Sequence, residues 1–163
     1  MPVTSAGLLL VRRGAGVSAR AAGALDVFIA HMGGPFWARK TDASWSIPKG
    51  EYDPDGEPSL DAARREFAEE IGVEAPPGDA EDLGEFRYSS GKRLRVFAIV
   101  APAFEVDEVA SNTFELEWPP RSGRTQSFPE VDDARWVGLE EARPMLVAGQ
   151  RPVLDVVAAR FGR

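Results

Sequence analysis

The sequence predicts an α/β sandwich with a mixed central sheet, and three observations support that prediction. Short runs of strand length recur along the chain, one amphipathic helix lies near its middle, and one or two further helices are expected near its C-terminal end. This order of elements is typical of layered α/β domains. The 163 residues are 44% hydrophobic and 28% charged, so we expect a single globular domain over 1–163.

The predicted strands are short apolar or alternating runs, bounded for the most part by Gly, Pro and polar residues. They cover residues 5–12, 25–31, 45–48, 83–89, 92–101, 113–118 and 134–137. The first two are expected to pair, and Ser90-Gly91 predicts a tight turn between the fourth and the fifth. The predicted loops are rich in Gly, Ala, Pro or polar residues and cover 14–23, 33–44, 51–58 and 119–129.

The clearest element is a helix over Ser59–Ile71. Pro58 suits its first turn and Gly72 suits a C-terminal cap. Its apolar residues recur every three or four positions and form one stripe: Leu60, Ala63, Phe67 and Ile71. Further helices are expected near 139–147 and over 152–161.

Composition and charge exclude several functional classes. The chain has no cysteine, which excludes disulfides, thiolate metal sites and a cysteine nucleophile, and fits a cytoplasmic location. The net charge of −7 is unsuited to general nucleic-acid binding but suits divalent cations, which prefer carboxylate oxygens. No apolar stretch approaches the roughly 18 residues of a membrane span, so no membrane partner is expected.

Three glutamates of the predicted helix share one face. Glu66, Glu69 and Glu70 stand at positions i, i+3 and i+4, and a helix with about 3.6 residues per turn brings such positions together. Their like charges repel and raise one another's pKa values. A divalent cation offsets this repulsion, and Mg²⁺ binds carboxylates while keeping positions for water and substrate phosphates. The alternative is an acidic helix face in solvent, because pairs of glutamates are common on exposed helices.

A longer pattern covers residues 50–73. This segment reads GEYDPDGEPSLDAARREFAEEIGV and resembles the Nudix box, which is a Gly, a spaced Glu, seven residues, and then Arg-Glu-hydrophobic-x-Glu-Glu-x-Gly-hydrophobic. Every specified position from Glu57 to Val73 matches. In the loop, six residues separate Gly50 from Glu57 where the family has five, and loops tolerate such insertions. WSIPKG and ARWVGLEEA also look like Nudix sequence, and GGPFWARK and FELEWPPRSGR look like a bacterial subgroup.

The resemblance implies a Nudix-type α/β/α sandwich with a mixed central sheet, and a metal-dependent hydrolase. Its substrate would be a nucleoside diphosphate linked to another moiety, with nucleoside triphosphate pyrophosphohydrolase activity expected first. The implied cofactor is Mg²⁺ (or Mn²⁺), bound by Glu66, Glu69 and Glu70 with help from the carbonyl of Gly50. The expected partner is therefore a small nucleotide-type molecule, and a homodimer is left open.

The resemblance also assigns residues to catalysis and to substrate binding. Arg65 would form an ion pair with Glu57 and orient the loop over the helix. The carboxylates that could take a proton from the attacking water lie in the box or downstream of it: Glu66, Glu130 and, less favoured, Glu115 and Glu117. The candidates for substrate binding are aromatic and cationic residues before the box: Trp37, Arg39, Lys40 and Lys49. Packing roles are favoured for Tyr88 and for the single histidine, His31.

Three other functions are compatible with the same fold to different degrees. A dinucleoside polyphosphate or diphosphate-sugar hydrolase would use the same box. A non-catalytic nucleotide- or RNA-binding regulator of the same fold usually lacks box glutamates, whereas this box is intact. An isomerase of the isopentenyl diphosphate type would need a cysteine, and the chain has none.

Overall fold

The elements follow the predicted order within residues 3–14 and 24–162, which the computed structural model describes. Most of the predicted loop 14–23 lies outside the described residues. The strands are β1 Thr4–Arg13, β2 Leu25–Met32, β3 Trp45–Ser46, β4 Lys49–Glu51, β5 Glu81–Arg87, β6 Arg93–Val100, β7 Thr113–Glu117, β8 Thr125–Pro129 and β9 Val131–Gly138. The helices are α1 Ser59–Ile71, α2 Leu139–Met145 and α3 Arg151–Phe161, with a short 3₁₀ helix at Ala148–Gln150.

Seven of these strands form one mixed sheet. Its order is β3-β2-β1-β6-β5, with β4 paired to β1 and β9 paired to β2. β1 runs parallel to β6, whereas the other pairs are antiparallel. β1 and β2 pair only at one end, near Val11 and Val27. Beyond that point β1 pairs with β4 and β2 pairs with β3, so the short strands lie between the diverging long ones.

Helices cover both faces of the sheet, as the alternation along β1 shows. Ala6, Leu8 and Leu10 belong to the buried cluster that contains the apolar residues of α1. Leu9 and Val11 point the other way, into the cluster formed with α2 and α3. Successive strand residues face opposite sides of a sheet, so a strand covered on both sides is apolar throughout. The predicted α/β/α sandwich with a mixed central sheet is therefore confirmed.

Helix α1 begins and ends where the sequence predicts, because local signals fix its ends. Pro58 is the N-cap, and Gly72 has φ 93° and donates its N–H to the carbonyl of Ala68. A side chain at Gly72 would also meet the carbonyl oxygen of Ala110 at 2.6 Å. Phe67 is fully buried, and its ring lies 5.7 Å from that of Phe104. The apolar stripe thus anchors α1 to the sheet and leaves the glutamate face beside β4.

The region after residue 112 departs from the prediction. Residues 119–129 are predicted as a loop, but Thr125–Pro129 is strand β8, which pairs with β7 in a separate two-stranded sheet. Every residue of β8 except Phe128 is exposed, so no buried pattern indicates a strand there. β9 is longer than the predicted 134–137. Earlier in the chain, β4 ends at Glu51, the first residue of the predicted loop 51–58. These strands are defined by pairing with other strands, which local composition does not encode.

Candidate active site

A cavity of about 530 Å³ opens between β4, α1 and the β7–β8 hairpin. Seven of the residues predicted for the site line it: Trp37, Lys49, Gly50, Glu66, Glu69, Glu70 and Glu130. Arg39 is exposed and is not part of the lining. Lys40 is also exposed and outside the lining, and its ammonium lies 5.5 Å from the ring centroid of Trp37. The fold therefore gathers the acidic residues tightly and the predicted substrate-binding residues only in part.

Strand β4 is docked on the glutamate face of α1 by two close contacts. A Cβ at Gly50 would lie 1.9 Å from Oε2 of Glu66, so a side chain there would displace the Glu66 carboxylate. The backbone N–H of Lys49 donates to Oε1 of Glu70 at 3.1 Å. The extra residue in the loop after Gly50 has not moved this glycine away from the helix. Its backbone therefore lies beside the carboxylate of Glu66.

Arg65 supports the carboxylates from outside the cavity. Its Nη2 lies 2.6 Å from Oε1 of Glu57, so the predicted ion pair is present. Its Nη1 also lies 2.8 Å from Oε1 of Glu66 and 3.3 Å from Oε1 of Glu69. These carboxylates raise the pKa of Arg65 further above its ordinary value, with Glu57 as the largest cause. A single guanidinium thus ties the loop to two glutamates of the helix.

Burial and like charges raise the pKa values of two carboxylates in the cavity. Burial raises the pKa of Glu70 to about 7; the ammonium and backbone N–H of Lys49 lower it, and the charges of Glu130 and Glu66 raise it again. Burial also raises the pKa of Glu66, against the hydrogen bond from Arg65. Buried carboxylates need a cation beside them to stay ionised. The donor set of hard oxygens fits a divalent ion such as Mg²⁺.

The carboxylates of the cavity are not arranged as a complete set of metal ligands. Within residues 3–14 and 24–162, no three acidic or histidine side chains are gathered closely enough to hold an ion as they stand. Arg65 holds oxygens of Glu66 and Glu69, and the backbone of Lys49 holds one of Glu70. A bound cation would therefore have to draw these side chains together.

Several lining residues were not predicted from the sequence. They are Ser5, Met32, Gly33, Glu51, Lys92, Arg93, Leu94, Asn112 and Phe114, together with Tyr88, for which packing was expected. The hydroxyl of Tyr88 accepts a hydrogen bond from Gln150 at 2.8 Å, so this residue packs and lines the cavity at once. Asn112 lies just before strand β7 and Phe114 lies within it, in the hairpin whose second strand, β8, the sequence did not predict. Glu115 and Glu117 are exposed and do not line the cavity.

Comparison with known proteins identifies the family of the chain. The chain matches the family model of the NUDIX domain over residues 4–157. The chain belongs to the NUDIX domain family. This family agrees with the hydrolase class expected from the sequence, which acts on acid anhydrides of phosphorus. Hydrolases of this family generally require a divalent metal ion, which agrees with the oxygen donors of the cavity.

The individual proteins that resemble this Nudix chain in sequence match only part of its length. An uncharacterized 17.7 kDa protein in the e-segB intergenic region of Enterobacteria phage T4 is 42% identical over 81 residues, 47% of this chain and 52% of that protein. The chain thus spans about half the length of that relative. An RNA pyrophosphohydrolase of Bartonella clarridgeiae is 28% identical over 131 residues, 72% of this chain and 69% of that protein.

A solved structure shares the fold of the whole Nudix domain. A C. elegans Ap4A hydrolase, crystallised as a binary complex, aligns with a TM-score of 0.59 and 23% identity over 96% of each chain. At that identity the likeness shows the fold alone. In the described part of the chain, no helix has the length and apolar character needed to cross a membrane.

Proposed function

We propose that this Nudix hydrolase cleaves a phosphoanhydride bond in a nucleoside diphosphate linked to another moiety, in the manner of a nucleoside triphosphate pyrophosphohydrolase. The convergence of Glu66, Glu69, Glu70 and Glu130 on one cavity, beside the backbone of Gly50, is the observation that carries the proposal. Two of these carboxylates, those of Glu66 and Glu70, are partly buried and have raised pKa values, which is a costly arrangement for a structural role alone.

The metal ligands would be carboxylate oxygens of Glu66, Glu69 and Glu70 with the carbonyl of Gly50. Mg²⁺ or Mn²⁺ held there would neutralise charge on the phosphate oxygens and make a bound water more acidic. The position of Gly50 supports this role because its backbone lies directly beside the carboxylate of Glu66. Arg65 acts through these ligands, since it orients Glu66 and Glu69 from behind.

Glu130 is the favoured general base, with Glu66 as the alternative. The guanidinium of Arg65 already binds one carboxylate oxygen of Glu66, and the other oxygen of that carboxylate lies against Gly50. Glu130 lies across the cavity, near enough for its charge to raise the pKa of both Glu66 and Glu70. Its backbone is fixed by hydrogen bonds while its side chain is exposed. A carboxylate in this position can accept the proton of a water that attacks phosphorus.

The far wall of the cavity would hold the nucleoside. Trp37 and Phe114 offer aromatic faces there, and stacking on such faces tolerates different bases. Lys49 lies close enough to Glu70 to lower its pKa and is suited to contact the phosphate next to the metal site. Arg39 does not line the cavity, so the proposal gives it no contact with the substrate. Lys40 would act only by supporting Trp37.

RNA is the second candidate substrate, supported by the Bartonella clarridgeiae relative named an RNA pyrophosphohydrolase. The net charge of −7 limits contact with a long phosphate backbone, so binding would be confined to one end of the RNA. The acidic cavity with few cations favours the mononucleotide substrate over this one.

A substrate panel tests the proposal. Purified protein with Mg²⁺ or Mn²⁺ would be given nucleoside triphosphates, dinucleoside polyphosphates, diphosphate sugars and RNA with a 5′-triphosphate, and the products would be separated by anion exchange. We expect pyrophosphate and nucleoside monophosphate from the triphosphates. Glu66→Gln should lower that rate by about 100-fold or more, whereas Asp61→Asn, a matched change on the exposed face of α1, should leave it unaltered. Absence of cleavage of every compound would refute the proposal.

A further inference from the structure

The single histidine of the chain lies between two hydrogen-bond acceptors. The side chain of His31 is 8% exposed. Its Nδ1 lies 2.7 Å from Oδ1 of Asp132, and its Nε2 lies 2.8 Å from the carbonyl oxygen of Lys40. A carbonyl oxygen can only accept, so Nε2 must carry a proton. An ionised carboxylate can only accept as well, so Nδ1 must carry a second one.

Only the doubly protonated ring satisfies both contacts. The side chain of Asp132 is 36% exposed, and a carboxylate in contact with water is ordinarily ionised at neutral pH. A neutral imidazole would bring the lone pair of one nitrogen against an acceptor. The contacts with Asp132 and Lys40 therefore select the imidazolium form of His31.

We propose that His31, as an imidazolium, is a positioning residue that ties the loop carrying Trp37 to the strand segment carrying Glu130. The inference rests on the proposed function, because it concerns the wall and the general base of that same cavity. His31 itself does not line the cavity, so it would act through its two partners.

A β-bulge directs one partner toward His31. In the pairing of β2 with β9, His31 lies opposite Asp133 and Met32 lies opposite Val131, which leaves Asp132 without an opposite residue. Such bulges re-aim side chains and are common beside active sites. Glu130 lies just before the bulge, and its carbonyl oxygen accepts the N–H of Gly33 at 2.9 Å. The ion pair of Asp132 therefore holds the bulge from which Glu130 reaches the cavity.

The other partner belongs to the loop that carries Trp37. The carbonyl oxygen of Lys40 accepts a second hydrogen bond, from the hydroxyl of Ser44 at 2.9 Å. The N–H of Lys40 donates to the carbonyl of Trp37 at 3.0 Å. The peptide groups on either side of Lys40 thus connect His31 to the aromatic wall of the cavity.

Two charged side chains near this ring, those of Arg135 and Lys40, have contacts of their own. The edge of His31 meets the ring of Trp45, with centroids 5.1 Å apart. The guanidinium of Arg135 lies over the ring of Trp45, 4.9 Å from its centroid, and pairs with Asp133. The ammonium of Lys40 is directed to Trp37. Asp132 is therefore the direct counter-ion of His31, and loss of the Nδ1 proton would set two acceptors against each other.

NMR can observe the ring directly because the chain contains one histidine. Long-range ¹H–¹⁵N spectra of untagged, metal-free protein at pH 7 should place both ring nitrogens in the imidazolium range. In Asp132→Asn, the amide can donate to an unprotonated Nδ1, so the ring should become neutral with its proton on Nε2. A neutral single tautomer in the wild type would overturn the proposal.

Amide exchange tests the positioning role without any substrate. The N–H of Gly33, which donates to Glu130, should exchange about 10-fold faster in His31→Ala than in the wild type. Asp133→Asn is the matched control, since it alters the neighbouring acid but not the contact with His31, and should leave Gly33 protected. Equal protection in wild type and His31→Ala would refute the positioning role, whether or not the protein cleaves nucleotides.

Kinetics then tests the consequence for the reaction. His31→Ala should lower kcat and raise KM, with a combined loss in kcat/KM of about 10- to 100-fold, because both the base and the aromatic wall are displaced. Asp132→Asn should retain more of its activity at alkaline pH than the wild type, since its contact does not need the second ring proton. Identical alkaline limbs in wild type, Asp132→Asn and Asp133→Asn would contradict the proposal. If no substrate is cleaved at all, the proposed function fails while the NMR and exchange results still decide the role of His31.

Discussion

Replacing Glu70 by glutamine should remove a pH-dependent penalty from the metal-free protein. Burial raises the pKa of Glu70 from 4.5 to about 7 in the folded chain. The difference corresponds to about 3 kcal/mol, because each pKa unit is worth about 1.4 kcal/mol. Glutamine keeps an oxygen that can accept the N–H of Lys49, as Oε1 of Glu70 does. The variant therefore removes the charge with little change in shape.

The sign follows from the raised pKa. A carboxyl group that holds its proton more tightly in the folded state stabilises that state fully below its unfolded value, and this contribution is lost as the pH rises through the folded value. The wild type should therefore lose about 3 kcal/mol relative to Glu70→Gln between pH 4.5 and pH 7 or slightly above. Below that window the two proteins should be similar in stability.

Urea unfolding in the presence of a chelator measures this difference. The free energy of unfolding would be determined for both proteins at pH 4.5, 6, 7 and 8, with Asp61→Asn as a control for the loss of an exposed helix charge. Added Mg²⁺ at pH 8 should stabilise the wild type more than Glu70→Gln, because a ligand that binds the folded state stabilises it. A difference between wild type and Glu70→Gln that does not change with pH would refute the reasoning.

Three further substitutions test the packing and the cavity. Gly50→Ala would place a methyl group 1.9 Å from Glu66 and should lower kcat by about 100-fold. Its control is Gly56→Ala, which would place a methyl group 3.4 Å from Oδ2 of Asp53 and should be active. Phe67→Ala should lower the free energy of unfolding in urea by about 3–5 kcal/mol, because Phe67 is fully buried; a loss below about 1 kcal/mol would contradict this packing. Trp37→Ala should raise KM by about 10-fold with little change in kcat; an unchanged KM would exclude stacking on Trp37.

The elements that could be predicted from the sequence are those whose signals are local. Helix α1 has its apolar stripe, its capping glycine and its box motif within residues 50–73, and its predicted bounds are those of the structure. β1 is a continuous apolar run over residues 6–11 because both of its faces are covered there. Gly72 shows the same principle at a single residue, since its φ of 93° favours glycine.

Features that depend on how one strand pairs with another could not be predicted from such local signals. Strand β8 is exposed and exists through its pairing with β7, so no periodicity indicates it. The bulge at Asp132 arises from the register between β2 and β9. Phe114 enters the cavity only because the hairpin folds back over Gly34, where a Cβ would lie 2.8 Å from the phenyl ring. The composition of each segment was consistent with these contacts but did not specify them.

The rate of nucleotide cleavage as a function of Mg²⁺ concentration, in wild type and Glu70→Gln, tests the central claim most directly. If Glu66, Glu69 and Glu70 hold the ion, the wild type should be inactive in chelator and saturate with Mg²⁺. Glu70→Gln should remain folded by circular dichroism, should need more Mg²⁺, and should be slower by about 100-fold or more at saturation. Equal rates and equal Mg²⁺ dependence in the two proteins would contradict the assignment of this cavity as the metal-dependent active site.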